Sequence, residues 1–270
     1  MKKLFTAILI LSSLFSFAQK ERTLKKVMEL QMPEGPGARA ANVAFHPTLK
    51  RYYACMGGNA IHAMGIYDQA GKKLSPDTLK TLFDVRGFWW SPQLKTFCAN
   101  GYSDYGWVKY NLDKKGTPVS VTEIFGGTHQ PEDNSVGAFD AKKNSLYFLT
   151  GQIIFTFSLN TGESDDTEIR LFVGSADKDE ALDNEYFYDD DLLDENYNPA
   201  LIFTAKPGAE FGLLNYAEKR IELYNRQTGY ITEKLILPED APTDEMLCFS
   251  FANGIYWIFD REARIWIGYK

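Results

Sequence analysis

Cysteine and histidine are scarce in this sequence, and their scarcity excludes several kinds of protein. The 270 residues contain three of each. Three cysteines cannot all pair, so the even-numbered disulfide framework of small secreted domains is excluded. Cys55, Cys98 and Cys248 lie in stretches that predict β-strands. We therefore expect small buried side chains that act neither as nucleophiles nor as bridges.

The sequence also lacks the motifs and the charge that mark several common classes. It has no Gly-x-Ser-x-Gly elbow and no glycine-rich phosphate loop. After residue 18, no stretch approaches the roughly 18 uninterrupted apolar residues that a membrane helix needs. The formal charge of −7 opposes binding to phosphate backbones and anionic lipid. Nucleic acid is therefore not a predicted partner, and no membrane span is expected.

The first 18 residues have the form of a secretory signal peptide. Lys2 and Lys3 precede an apolar run over 4–18, and Ala18 supplies a small residue for cleavage. No cysteine follows the run, so a lipid anchor is not expected. We predict a mature chain of residues 19–270 that is exported to the periplasm or to the extracellular space.

A segment with aromatic residues beside a short turn recurs along the rest of the chain. Its clearest copy is 43–55, VAFHPTLKRYYAC, in which an apolar run, a turn and a second apolar run follow one another. The steps between the aromatic anchors of successive copies are 45, 49, 64 and 48 residues. A period in this range is typical of propellers and solenoids. The anchors are Phe45, Trp90, Phe139, Phe203 and Phe251.

The strand pattern predicts a single all-β domain over 19–270. A strand at 23–32 has no partner nearby, and the last unit has only three strands, so we expect strands from both ends of the chain to share one sheet. The prediction is a five-bladed β-propeller with the N-terminal strand completing the last blade; two packed β-sandwiches are the alternative. The predicted blades are 42–85, 87–125, 136–173, 200–237, and 246–270 with 23–32.

This period and strand pattern resemble those of the β-propeller superfamily, in particular the YVTN-like and WD40-like repeat proteins that bacteria export. The resemblance covers Thr23 to Lys270 and implies blades around a central channel. The Gly-His and Trp-Asp pairs of true WD40 repeats are absent. The resemblance therefore extends to the fold and not to a particular family.

Loop lengths distinguish the two faces of the predicted ring. Short turns join first to second strands and third to fourth strands, and we call that side the short-turn face. Longer connections define the opposite, long-loop face, and long loops on a rigid scaffold often carry binding sites. The long connections are 33–41, 57–62, 101–106, 126–135, 174–199 and 238–245.

Aromatic side chains in these loops predict a binding surface. The loop at 101–106 has glycine at each end and carries tyrosines beside a carboxylate, which suits a sugar ring or a protein anchor. The leading hypothesis is a non-catalytic module that binds a protein or a surface glycan of the cell envelope. The predicted contact residues are Tyr102, Asp104, Tyr105, His129, Tyr186 and Tyr188.

The longest connection, an insertion at 174–199, is strongly acidic. Between Asp177 and Glu195 it has ten acidic residues and a single lysine. Carboxylates on a loop can bind calcium, although the glycine and the spacing of an EF-hand are absent. A solvated acidic loop without a cofactor is the alternative interpretation. The candidate calcium ligands are Asp189, Asp190, Asp191 and Asp194.

Carboxylates that precede the innermost strands support a competing hypothesis of catalysis. The arrangement is similar to that of five-bladed carbohydrate-active propellers, and the resemblance implies catalytic carboxylates at the mouth of the channel. A glycosidase needs two such groups about 5–9 Å apart. A carbohydrate-active enzyme is therefore the alternative to the binding module. Its candidate residues are Asp84, Asp133, Asp244 and Glu245.

Overall fold

The protein forms a ring of five β-sheets around a central channel. The structure is a computed structural model that describes residues 20–176, 178 and 196–270. In this part of the chain it contains twenty β-strands and one 3-10 turn, Ser103–Tyr105. The predicted five-bladed propeller is thereby confirmed. The predicted signal peptide lies outside the described residues, as does most of the acidic insertion.

Two N-terminal strands precede the blades and join the last two of them. They are β1 (Lys20–Thr23) and β2 (Lys26–Gln31). The first three blades then follow in chain order. Blade I contains β3 (Ala40–His46), β4 (Arg51–Met56) and β5 (Met64–Tyr67); blade II contains β6 (Val85–Ser91), β7 (Thr96–Gly101), β8 (Trp107–Leu112) and β9 (Pro118–Phe125); blade III contains β10 (Ala138–Asp140), β11 (Ser145–Thr150), β12 (Ile153–Ser158) and β13 (Ser164–Arg170).

The last two blades each take a strand from the N-terminal segment. In both, the innermost strand is the first along the chain and the N-terminal strand lies at the outer edge. Blade IV contains β14 (Ile202–Phe203), β15 (Phe211–Asn215), β16 (Arg220–Tyr224), β17 (Ile231–Ile236) and β1; blade V contains β18 (Phe249–Ala252), β19 (Ile255–Asp260), β20 (Ile265–Tyr269) and β2.

Ring closure by the N-terminal segment occurs as the strand pattern predicts. β2 pairs antiparallel with β20, from Lys26 opposite Tyr269 to Gln31 opposite Ile265. The strand predicted at 23–32 begins later, at Lys26, and residues 20–23 form a separate strand, β1, which pairs in parallel with β17 of the neighbouring blade. Between the two strands, the buried Leu24 donates its backbone N–H to the carbonyl of Ile236 over 2.8 Å. The segment therefore joins blades IV and V as well as closing the ring.

Blade I departs from the prediction at its outer edge. The predicted blade 42–85 needs a fourth strand after β5, but the segment 68–84 makes only isolated bridges, Tyr67 with Lys73 and Ala63 with Lys80. Pro76 within this segment has no N–H to donate to a ladder, which disfavours a regular strand. Val85 instead begins the innermost strand of blade II.

Buried aromatic side chains fill the spaces between the blades. Trp107, Trp257 and Trp266 are fully buried. Trp89 of blade II stacks on Phe139 of blade III with ring centroids 5.8 Å apart. The three cysteines are free and buried, which confirms that they are small core side chains.

Buried polar side chains join neighbouring blades next to the channel. Asn42 of blade I accepts a hydrogen bond from the Phe88 N–H of blade II over 3.0 Å. Asn100 of blade II donates to the Ser135 carbonyl over 2.7 Å and accepts from the Gly137 N–H over 3.1 Å, which ties blade II to blade III. These bonds satisfy backbone groups in or just before the innermost strands that would otherwise be left unpaired.

Two of the remaining blade boundaries are joined by the same kind of hydrogen bond, and the third by an ion pair. Asn198 of blade IV donates to the Asp244 carbonyl before blade V over 3.1 Å. The hydroxyl of Ser250 in blade V accepts from the Val43 N–H over 3.0 Å and donates to the Val43 carbonyl over 3.2 Å, closing the ring onto blade I. Between blades III and IV, Arg226 lies 3.7 Å from a carboxylate oxygen of the buried Asp140.

Replacing Asn100 with alanine tests these links. Asn100→Ala leaves the Gly137 N–H and the Ser135 carbonyl buried without their partner, so we expect the free energy of unfolding to fall by about 2–4 kcal/mol in urea denaturation. The matched control is Asn111→Ala, whose exposed side chain bonds only to Ser120 and Thr122 of its own blade. We expect the control to lose less than about 1 kcal/mol. Equal losses in the two variants would contradict the proposed role of Asn100.

Candidate functional site

The mouth of the channel on the long-loop face is built from loops of every blade. Two cavities of about 250 and 260 Å³ border it and have two lining residues in common, so the loops form one continuous rim. The rim includes one residue in or just before the innermost strand of each blade: Arg39, Arg86, Asn134, Pro199 and Leu247.

A cluster of polar side chains around Arg86 lies at this mouth. Arg86 forms an ion pair with Asp84, and its Nε donates to the Asn134 side-chain oxygen over 3.0 Å. Its guanidinium group lies 4.8 Å from the centre of the Tyr102 ring, within range of a cation–π interaction. The Tyr102 hydroxyl donates to Asp133 over 3.3 Å. We call these five residues the Arg86 cluster.

The Arg86 cluster brings together three residues that the sequence singled out for different roles. Asp84 and Asp133 were candidate catalytic carboxylates, and Tyr102 was a candidate contact residue. Here both carboxylates are bound by neighbouring side chains. Arg86, which organises them, was missed, and its only signal in the sequence is its position two residues after Asp84.

An apolar patch lies beside the Arg86 cluster. Tyr105 and Ile61 are 55% and 59% exposed, and Tyr102 is 37% exposed. Tyr105 borders a cavity of about 310 Å³ together with Phe83 and Ala60, the neighbour of Ile61. Asp104 is exposed on the same 3-10 turn as Tyr105. We call Ile61, Tyr102 and Tyr105 the tyrosine patch.

His129 lies apart from this patch. Its Nδ1 is 2.8 Å from the Gly162 carbonyl and its Nε2 is 3.1 Å from the Gly126 carbonyl. Its ring packs against Phe125 with centroids 5.4 Å apart. The side chain is thus held at the boundary between blades II and III, and its predicted contact with a ligand stays a prediction.

The other two candidate carboxylates, Asp244 and Glu245, differ in environment. Asp244 accepts the Met246 N–H over 2.9 Å and lies 3.7 Å from Arg261. Glu245 is exposed and borders two cavities, one of about 260 Å³ at the rim and one of about 280 Å³ towards blade III. Glu132 also borders the larger cavity and was not among the candidates. This cavity therefore brings two carboxylates to one opening.

A buried polar network in blade IV supports the same cavity. Glu222 is fully buried and accepts hydrogen bonds from the hydroxyls of Tyr197 and Tyr224 over 2.9 and 2.6 Å. Arg220 pairs with its other oxygen over 2.6 Å. Burial, followed by the neighbouring Glu222 carboxylate, raises the pKa of Tyr197. Tyr197 therefore stays protonated at neutral pH and fixes the chain where it re-enters blade IV after the acidic insertion.

Several predicted residues fall outside the described part of the chain. They are Tyr186, Tyr188, and the calcium candidates Asp189, Asp190, Asp191 and Asp194. Among residues 20–176, 178 and 196–270, no group of three or more histidine, cysteine, aspartate or glutamate side chains is arranged to hold a metal ion. The same ranges contain no helix with the length and apolar character needed to cross a membrane.

The buried cysteines provide a test of how tightly the blades pack. Burial raises the pKa of Cys98 and of Cys248 to about 12, and that of Cys55 well above its ordinary value. Because the thiolate is the reactive form, we expect no thiol to react with Ellman's reagent at pH 8 in the native protein, and three to react in urea. Rapid reaction of the native protein would contradict this packing.

Comparison with known proteins identifies the class but not a family. No protein-family model matches this chain, and no curated protein matches its sequence. Among solved structures, the glutaminyl cyclase of Myxococcus xanthus is similar with a TM-score of 0.55 and 6% identity, over 93% of this chain and 97% of that one. A chain from a nidogen–laminin complex has a TM-score of 0.38 and 9% identity, over 73% and 63% of the two chains. The first likeness shows a shared fold alone, and the second is too weak to support an argument.

Proposed function

We propose that this protein is an exported, non-catalytic binding module that engages a protein partner with its long-loop face. The observation that carries the proposal is the tyrosine patch beside Arg86. Tyrosine and arginine are the residue types that most often dominate the binding energy of protein interfaces. The predicted signal peptide supports export.

The distribution of exposed apolar side chains supports this surface. In the described part of the chain, seven large apolar side chains are exposed, and three of them form the tyrosine patch. Exposed apolar side chains gathered on neighbouring loops beside polar groups are typical of interaction sites, whereas single exposed ones are ordinary. The polar neighbours here are the members of the Arg86 cluster.

The Arg86 cluster also reduces the entropic cost of binding. The guanidinium group is held by Asp84, Asn134 and the Tyr102 ring before any partner arrives. A side chain that is already ordered loses little conformational entropy in a complex. The arrangement therefore favours a partner that presents a carboxylate or a carbonyl oxygen to Arg86 and an apolar surface to the tyrosines.

The acidic insertion is proposed to extend this surface. Its return point, Tyr197, borders the cavity that Glu132 and Glu245 share on the long-loop face. Tyr186 and Tyr188 belong to the insertion and are part of the proposed contact. Their acidic neighbours would favour a partner with basic groups at the edge of the interface.

A double substitution in the tyrosine patch tests the proposal. The partner is first identified by cross-linking in the cell envelope and then purified for calorimetry. We expect Tyr102→Ala with Tyr105→Ala to weaken its Kd by at least about tenfold, because two interface anchors are lost. The free energy of unfolding should change by less than about 1 kcal/mol, because both side chains are exposed.

Two further variants complete that experiment. Val119→Ala is the matched control, since Val119 is 58% exposed on the outer strand of the same blade, outside the patch. Deletion of residues 177–195 measures the contribution of the insertion separately. An unchanged Kd in the tyrosine double variant would exclude the patch as the interface. A large loss of stability in that variant would show that the tyrosines belong to the core.

A second candidate function is supported by the cavity beside Glu245. It has a volume of about 280 Å³ and is bordered by Glu132, Glu245, Thr150 and Tyr197. The Thr150 hydroxyl has no hydrogen-bond partner among the described residues. Two carboxylates at one opening can serve as general acid and general base. The likeness to a glutaminyl cyclase shows that an enzyme can have this fold.

Substitution of these carboxylates distinguishes the enzyme from the binding module. The substrates to assay are nitrophenyl glycosides and a peptide with an N-terminal glutamine. If the protein is an enzyme, Glu245→Gln or Glu132→Gln should lower kcat by about 100-fold or more, because general acid–base groups contribute that much. Glu123→Gln, at an exposed position on β9, is the control. Absence of turnover by the unmodified protein would leave the binding module as the function.

A further inference from the structure

The opposite mouth of the channel contains a cavity that the proposed function does not use. Its volume is about 280 Å³, and residues of all five innermost strands line it. The five repeat anchors are among the lining residues, so every blade contributes one aromatic ring. They are Phe45, Trp90, Phe139, Phe203 and Phe251.

Strand geometry places these five rings in equivalent positions. Phe45, Trp90, Phe139 and Phe251 each occupy the next-to-last position of an innermost strand, and Phe203 ends its strand. All five anchors are partly exposed. The residues that directly follow Phe45, Trp90, Phe139 and Phe251 are buried. Because successive side chains of a strand point to opposite sides, the anchors face the channel when their neighbours face the blades.

The rings are supported from behind by aromatic side chains of the second strands. Phe45 packs against Tyr52 with centroids 4.9 Å apart, and Phe251 packs against Tyr256 at 5.0 Å. Trp90 meets Phe97 edge-on at 5.1 Å. Such contacts restrict the rotamers of the anchors, so the cavity keeps its shape without a ligand.

Polar groups accompany the rings inside the cavity. Asn42 and Ser250 line it, and Ser250 is 1% exposed. The Asn42 side-chain oxygen accepts the Phe88 N–H, and its amide group keeps an N–H for a ligand.

The turns around this mouth are basic although the protein is acidic. The connections from first to second strands are 47–50, 92–95, 141–144, 204–210 and 253–254, and together they contain five lysines and one acid. That acid, Glu210, accepts the N–H groups of Gly208 and Arg226. Lys206 pairs with Glu233. The five lysines are Lys50, Lys95, Lys142, Lys143 and Lys206.

Two of these lysines are fixed in equivalent turns. Lys50 and Lys95 each end a Pro-x-Leu-Lys turn, with φ of 54° and 53°. Both are exposed. The basic groups are therefore presented at the same height on neighbouring blades, five residues after the anchors Phe45 and Trp90.

We propose that this aromatic mouth binds an anionic sugar, a hexuronic acid unit of an acidic saccharide. The C–H faces of a sugar ring pack on aromatic rings, its hydroxyls can bond to the amide group of Asn42, and its carboxylate pairs with the rim lysines. An acidic peptide offers carboxylates but no flat ring, and a neutral sugar leaves the lysines unused. The inference concerns the mouth opposite the tyrosine patch and does not depend on the proposed function.

Calorimetry with defined saccharides tests this inference. The probe is trigalacturonic acid, with maltotriose and triglutamate as the neutral and peptide comparisons. We expect trigalacturonate to bind with at least about tenfold lower Kd than either comparison. Its binding should weaken as the salt concentration rises from 0.05 to 0.5 M, because the rim charges are exposed and become screened.

Paired variants assign the binding to this mouth. Lys50→Gln with Lys95→Gln should raise the Kd for trigalacturonate about tenfold. Lys114→Gln with Lys115→Gln, at exposed positions in another turn of blade II, should leave it unchanged. Trp90→Ala and, separately, Phe251→Leu should each weaken binding. Phe251→Leu removes an aromatic ring but keeps an apolar side chain, so it still tests the site if Trp90→Ala does not fold. The tyrosine double variant should bind the saccharide normally.

Three results would overturn the proposal. The first is equal affinity for trigalacturonate and maltotriose, and the second is unchanged affinity in the Lys50/Lys95 variant. The third is absence of saccharide binding. If triglutamate binds and the saccharides do not, the mouth is assigned to acidic peptides instead. Because the tyrosine double variant is measured in parallel, failure here is distinguishable from failure of the proposed function.

Discussion

The structure depends on closing the ring between the fifth blade and the first. That boundary joins residues about two hundred positions apart in sequence, and its hydrogen bonds form only when all five blades have the correct tilt. Ser250 bonds to both backbone groups of Val43, and Asn253 donates to the Tyr52 hydroxyl over 2.9 Å. A buried polar group left without its partner costs about 1–3 kcal/mol, so an incorrectly closed ring would be penalised at several sites at once. The N-terminal segment reinforces the closure by pairing with blade V through β2 and with blade IV through β1.

Closure gives the channel two mouths with different chemistry. On the long-loop face, connections of variable length present Arg86, its carboxylate partners and the tyrosine patch. On the opposite face, the innermost strand of every blade has an aromatic anchor at or next to its end, and Lys50 and Lys95 follow in equivalent turns of blades I and II. The first surface is irregular and suits one particular protein partner. The second is close to five-fold symmetric, because it is made from the repeated part of the sequence, and this symmetry suits a small ring-shaped ligand.

The repeat made the fold predictable, because the period of the aromatic anchors and the alternation within strands depend only on local sequence. The same reasoning located Tyr102 and Tyr105 on a long loop. It missed Arg86 and Glu132, whose importance comes from neighbours on other blades, such as Asn134 for the first and Glu245 for the second. It also considered binding at the long-loop mouth only. The anchors were recognised as repeat markers, but their meeting in one cavity follows from the curvature of the ring, which no local pattern encodes.

Native-state hydrogen exchange of the outermost strands tests ring closure most directly. If β2 completes blade V and β1 pairs with β17, the hydrogen-bonded amide protons of β2 and β20 should exchange only through global unfolding, with the free energy measured in urea. The segment 20–31 would then be protected as strongly as the core strand β19. Exchange of β2 that is faster by orders of magnitude than that of β19 would show that the N-terminal segment detaches, and it would contradict a ring held closed from both ends of the chain.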